Sequence, residues 1–227
     1  MDDPTKDRLL EAAGEVFAER GFESATIRAI VDRAGANIAS VNYHFGDKEH
    51  LYEAAVLHAH RCAMENPPRF LEEDSPAEKL RGYIANFLSH VVAIHHTTWH
   101  HTLMLREMVA PTRASETLVR EAIRPRFDCL REILLELCPG ASERRINALA
   151  FSVVGQCLHY KLSQPISIRL VGPAGYAELD HEYVSEHITQ FTLAALGVVP
   201  PFDAAGEPPA LEESVGEANS RRGGERE

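Results

Sequence analysis

Apolar residues recur three and four positions apart along this chain, and that spacing predicts helices. Leu9, Ala12, Ala13, Val16 and Phe17 mark one face of a helix over 6–20, with Gly21 as its stop. Thr26 has the chemistry of an N-cap, and Ile27, Ile30, Val31 and Ala34 give the next buried face, ended by a turn at Gly35. A short helix over 38–45 follows, with Val41 and Phe45 on one side and Ser40, Tyr43 and His44 on the other. Asp47 caps a fourth helix through Leu51, Tyr52 and Ala55 to Met64, stopped by Asn66, Pro67 and Pro68.

Ser75 followed by Pro76 opens a helix with Leu80, Ile84, Phe87, Leu88 and Val91 on its stripe, ending near His95 and His96. Another runs from Trp99 to Val109. A long helix over 115–137 contains Pro125, where a kink or split is expected. Ser142 caps a helix carrying Ile146, Leu149, Ala150, Val153 and Cys157. A last helix from His181 has Val184, Ile188, Phe191 and Ala195 on one face. The segment 166–175 is apolar but rich in turn residues and receives no element. The chain is therefore expected to be all-α, up to a tail over 201–227 that is acidic, poor in large apolar residues and expected to be disordered.

Two short helices joined at a glycine, as over 24–51, make a helix-turn-helix unit, whose second helix enters the major groove. Spacing alone leaves open any other pair of amphipathic helices. The residues go further. The run NYHFGDKEHLY resembles the signature of the TetR family, GANIASVNYHFGDKE resembles its CecR-type branch, and WHHTLMLREMVAPT resembles a recurrent stretch in CecR-type C-terminal domains. The resemblance implies a helix-turn-helix DNA-binding domain (residues 1–50) and a larger helical ligand-binding and dimerisation domain (51–200). It also implies a homodimer through the last two helices, with the fourth helix carrying ligand-induced motion to the reading head. The function expected is that of a cytoplasmic repressor, released from an inverted-repeat operator by a small-molecule effector. On that reading Asn37, Ser40, Asn42 and Tyr43 face base edges, and Thr26, Arg28, His44 and Lys48 touch phosphates or fix register. Asn42 stands where many family members carry an aromatic residue.

The formal charge of −11 argues against non-specific attraction to nucleic acid, but a specific complex needs only local cations such as Arg28, Arg33 and Lys48. No run of about eighteen apolar residues is present to span a membrane, and the N-terminus lacks a signal-peptide pattern. Four scattered cysteines fit neither a disulfide framework nor a structural zinc motif. His96 and His100 have a metal-sharing spacing, but Thr97 and Thr98 are expected to break the helix between them, so no metal and no cofactor are expected. No nucleophile elbow or phosphate-cradling loop is present, and no enzyme is expected. Arg106 and Glu107 read as an ion pair or an anion anchor. The candidate effector residues are Trp99, His100, Met104, Arg106, Phe151 and Tyr160, an apolar set with a few polar groups. The alternative is a helical small-molecule or metal-binding protein with a vestigial helix-turn-helix.

Overall fold

The computed structural model describes residues 4–63, 67–92 and 99–200. The helix ends expected at Met64 and at His95–His96, and the tail over 201–227, lie outside the described residues. Within them the fold is all-α. The helices are α1 (Pro4–Ser24), α2 (Ile27–Ala34), α3 (Ile38–His44), α4 (Lys48–Ala63), α5 (Pro76–Val92), α6 (Trp99–Val109), α7 (Ala114–Leu118), α8 (Arg124–Leu137), α9 (Glu143–Leu162), α10 (Gln164–Ala177) and α11 (His181–Ala195).

Local signals set most boundaries. The Thr26, Ser142 and Asp180 side chains each accept the backbone N–H three residues on, so each helix start has one of its orphan donors satisfied. Ser75 and Glu78 cap reciprocally ahead of α5. α1 runs past its expected stop, but Gly21 (φ 75°, ψ 170°) breaks the helical dihedrals at the residue foreseen.

The long helix expected over 115–137 is split next to Pro125, as expected: a π-helical turn over Val119–Ile123, in which the Arg124 N–H reaches Val119 O, precedes α8, and Pro125 falls in the first turn of α8. Two expectations change. The unassigned segment is α10, interrupted at Gly172 (φ 80°, ψ 159°) and resumed from Pro173. Phe191, expected on the buried face of α11, is 51% exposed; Ser185, Thr189, Thr192 and Leu193 are buried there instead. The two threonine hydroxyls are satisfied by carbonyls four residues back.

Two cores result. The first joins α1–α4 to Leu103 of α6 and to Ala114 and Leu118 of α7, around the fully buried Phe17, Ile30 and Leu51. The second joins α5, α8, α9 and α11 around Leu80, Ile84, Leu134, Ile146 and Ile188. Each such side chain contributes about 1.5–3 kcal/mol by leaving water. Thus α4, α6 and α7 pack with the helix-turn-helix rather than apart from it.

Candidate nucleic-acid interface

α3 is held from below by one residue. Val41 is fully buried under α1 and α2, while Asn42 and Tyr43 on the opposite side face solvent, Tyr43 at 83% exposure. Gly35 (φ 60°, ψ 38°) makes the left-handed turn that sets α3 across α2, a conformation that penalises residues bearing a Cβ.

The expected base-edge residues divide. Asn42 and Tyr43 are exposed. Asn37 is also exposed but is the N-cap of α3: its carbonyl oxygen accepts the Ser40 N–H at 2.9 Å and the Ser40 hydroxyl at 3.1 Å. Those two side chains therefore fix where the helix begins. His44 is half-buried, its ring edge-on to Tyr43 and Phe45.

Among the phosphate candidates, Thr26 is exposed and its hydroxyl accepts Ala29 N–H at 3.2 Å. Arg28 pairs with Asp32 at 3.1 Å on the surface of α2. Lys48 folds back over the α1–α2 junction, donating to Glu23 O at 3.3 Å with its ammonium 4.6 Å from the Phe22 ring centroid. Arg33 is engaged elsewhere, its guanidinium forked onto Glu19 at 2.8 and 2.9 Å, which holds that carboxyl below its ordinary range. Sequence reasoning missed His50. Asp47 caps α4 by accepting His50 N–H at 2.9 Å and contacts the ring at 2.8 Å, which raises the imidazole above its usual pKa. An Asp-x-x-His spacing across a helix start was the available signal.

Behind the reading helices, α6 locks to α1 and α4. The Arg106 guanidinium donates to Ala18 O at 2.9 Å and Glu19 O at 3.2 Å near the end of α1. Glu107, only 2% exposed, accepts the Tyr52 hydroxyl at 2.8 Å and the Thr112 N–H and hydroxyl at 2.8 and 3.0 Å. Burial and the adjacent carboxylate push the Tyr52 phenol upward. Arg106 and Glu107 thus hold separate partners on α1 and α4 rather than an ion pair with each other.

A cleft of about 650 Å³ opens beside this lock, lined by Phe22, Tyr52, Leu105, Arg106, Val109 and neighbours. Of the six candidate effector residues only Arg106 lines it. Trp99 packs over Gly14 and stacks on His100, and Met104 packs on the first core. Phe151, 66% exposed, tilts against Phe127 at 5.1 Å in a second cleft of about 430 Å³. Tyr160 packs on the second core, its carbonyl taken by the Tyr176 hydroxyl at 2.9 Å. The fold brings Trp99 and His100 together and leaves Phe151 and Tyr160 in other places.

Comparison with known proteins agrees with this geometry. Residues 9–55 match the family described as "Bacterial regulatory proteins, tetR family", and residues 76–196 match "HTH-type transcriptional dual regulator CecR, C-terminal domain". The chain is 25% identical over 198 residues to the dual regulator CecR of Shigella flexneri, covering 81% of this chain and 87% of that protein. It is 36% identical over 88 residues to the transcriptional repressor AcnR of Corynebacterium glutamicum, covering 37% of this chain and 43% of that one. Among solved structures it resembles HlyIIR, a hemolysin II transcriptional regulator, with TM-score 0.56, 26% identity, and coverage of 82% and 97%. A Rhodococcus transcriptional regulator with TM-score 0.59 but 20% identity, covering 86% of this chain and 99% of that one, shares the fold.

Proposed function

Because the chain belongs to the TetR family, in its CecR-type branch, it is a DNA-binding transcriptional regulator, and we propose that it acts as a repressor released by a small-molecule effector. The observation that carries the reading is α3, buried at Val41 and open at Asn42 and Tyr43. Asn42 makes the base-edge contact suited to its amide, ideally bidentate to adenine, and Tyr43 packs beside it. Lys48, in the N-terminal turn of α4, meets a phosphate and fixes register.

Two such heads work as a twofold homodimer on an inverted repeat. The surface offered by α9–α11 supports this: Phe151, Leu162, Leu170 and Phe191 are exposed, and Ala148, Ser152 and Gly155 permit close approach of a partner helix. Residues 1–50 serve as the reading domain, and 51–200 as the effector and dimerisation domain. The effector acts by binding unequally to two arrangements of the heads. No helix among the described residues is long and apolar enough to cross a membrane, and we place the protein in the cytoplasm, with its DNA. Selection of bound duplexes from a random pool at moderate salt tests the reading. An inverted repeat is expected; a folded dimer that enriches no sequence, with or without cell extract as an effector source, contradicts it.

A further inference from the structure

We infer that His58, Cys62 and His100 form a binding site for a divalent, zinc-class metal ion where α4 meets α6. His58 and Cys62 are one turn apart on α4, so they share a face. α6 brings His100 to the same place, and one donor atom from each of the three residues lies within 4.8 Å of the others. His58 Nε2 and Cys62 Sγ are 3.5 Å apart. Two ligands on a tetrahedral ion, with metal–nitrogen near 2.0–2.1 Å and metal–sulfur near 2.3 Å, stand about 3.5 Å apart.

Other features point the same way. His100 Nε2 is shut off from solvent and has no hydrogen-bond partner among the described residues, a state a native fold rarely leaves unexplained. Glu11 on α1 stands behind the trio, with Oε1 at 3.1 Å from His58 Nε2 and Oε2 held by the Trp99 indole N–H at 3.0 Å. It orients the water that completes the coordination. One thiolate and two imidazoles suit zinc and exclude magnesium or calcium, which take oxygen ligands. On binding, the Cys62 S–H bond gives way to a sulfur–metal bond and its proton passes to solvent, with no change of oxidation state. Cys62 is exposed, which leaves the ion a way in. The sequence offered only the His96–His100 spacing, from which no metal is expected, and His96 lies outside the described residues.

Titration of the metal-stripped, full-length protein with Co²⁺, followed by Zn²⁺ displacement, tests the site. The expected result is one ion per chain with a thiolate-to-cobalt charge-transfer band. Trp99 should be quenched at the same time, being the chain's only tryptophan and lying 3.8 Å, centroid to centroid, from the His100 ring. Cys62→Ser should abolish the band, Glu11→Gln should weaken binding at least about 10–100-fold, and Cys138→Ser should leave both signals unchanged. A folded, helical protein that takes up no Co²⁺, or a Cys62→Ser variant that keeps the band at full affinity, overturns the assignment.

Discussion

Val41 and Tyr43 stand two positions apart on α3, yet one is fully buried and the other is 83% exposed. That contrast was legible in the sequence because a short helix with one apolar anchor can face only one way. The charged residues were harder to read. Arg28, Arg33 and Lys48 look alike as local cations, but Arg33 is tied to Glu19 across helices that only the fold brings together. Lys48 keeps a weak tether to Glu23 O that a phosphate can replace. Lys48→Ala should therefore weaken binding to all DNA sequences and flatten the salt dependence by about one unit, measured as log affinity against log salt. An unchanged slope would make Lys48 a clasp for the α1–α2 junction only.

His60 is a second residue whose role came from packing. Burial, aided by Arg126, lowers its pKa from 6.5 to about 4. Its folded value lies below the unfolded one, so the unfolded chain binds the extra proton. Stability is complete above about pH 6.5, falls as pH drops toward 4, and loses nothing more from this group below that. The loss is at most about 3 kcal/mol, since one pKa unit is worth about 1.36 kcal/mol. Denaturant melts across this window should lose most of this pH dependence in His60→Phe; an identical slope would show that the ring is solvated.

At the scale of elements, the helices bounded by caps were readable, because Thr26 and Ser142 act within three residues of themselves. α10 was not, since Pro165, Gly172, Pro173 and Gly175 together read as a loop. Proline in a first turn and a glycine between two helical pieces are compatible with helix, but nothing local distinguishes them from a turn. The fit of α6 on α1 was equally hidden. A Cβ on Gly14 would collide with the six-membered ring of Trp99. Gly14→Ala should gain helix propensity of about 1 kcal/mol yet lose roughly 1–3 kcal/mol to overpacking. The expected outcome is a lower Tm with altered Trp99 emission. A higher Tm with unchanged emission would mean the ring is free to move aside.

At the scale of the molecule, α4 starts at the Asp47 cap beside α3 and forms a wall of the first core. α6 and α7 join that core, and Tyr52–Glu107 and Arg106–Ala18 tie α6 directly to α4 and α1. The candidate effector residues came from helix spacing and from the resemblance of the 99–112 run, and spacing leaves open whether Phe151 and Tyr160 reach the space around Trp99. They lie on α9, which packs in the second core, whereas α6 packs in the first. The face that α3 presents follows from its N-cap at Asn37 and from Val41, which is buried in the same core.

The most direct measurement is titration of the selected operator, and of a scrambled duplex, with wild type, Asn42→Ala and Tyr43→Ala at one salt concentration. If α3 reads bases, each variant should lose about 1–3 kcal/mol on the operator and almost nothing on the scrambled duplex. Wild-type operator affinity in both variants, with the fold intact, would contradict the assignment of α3 as the recognition element.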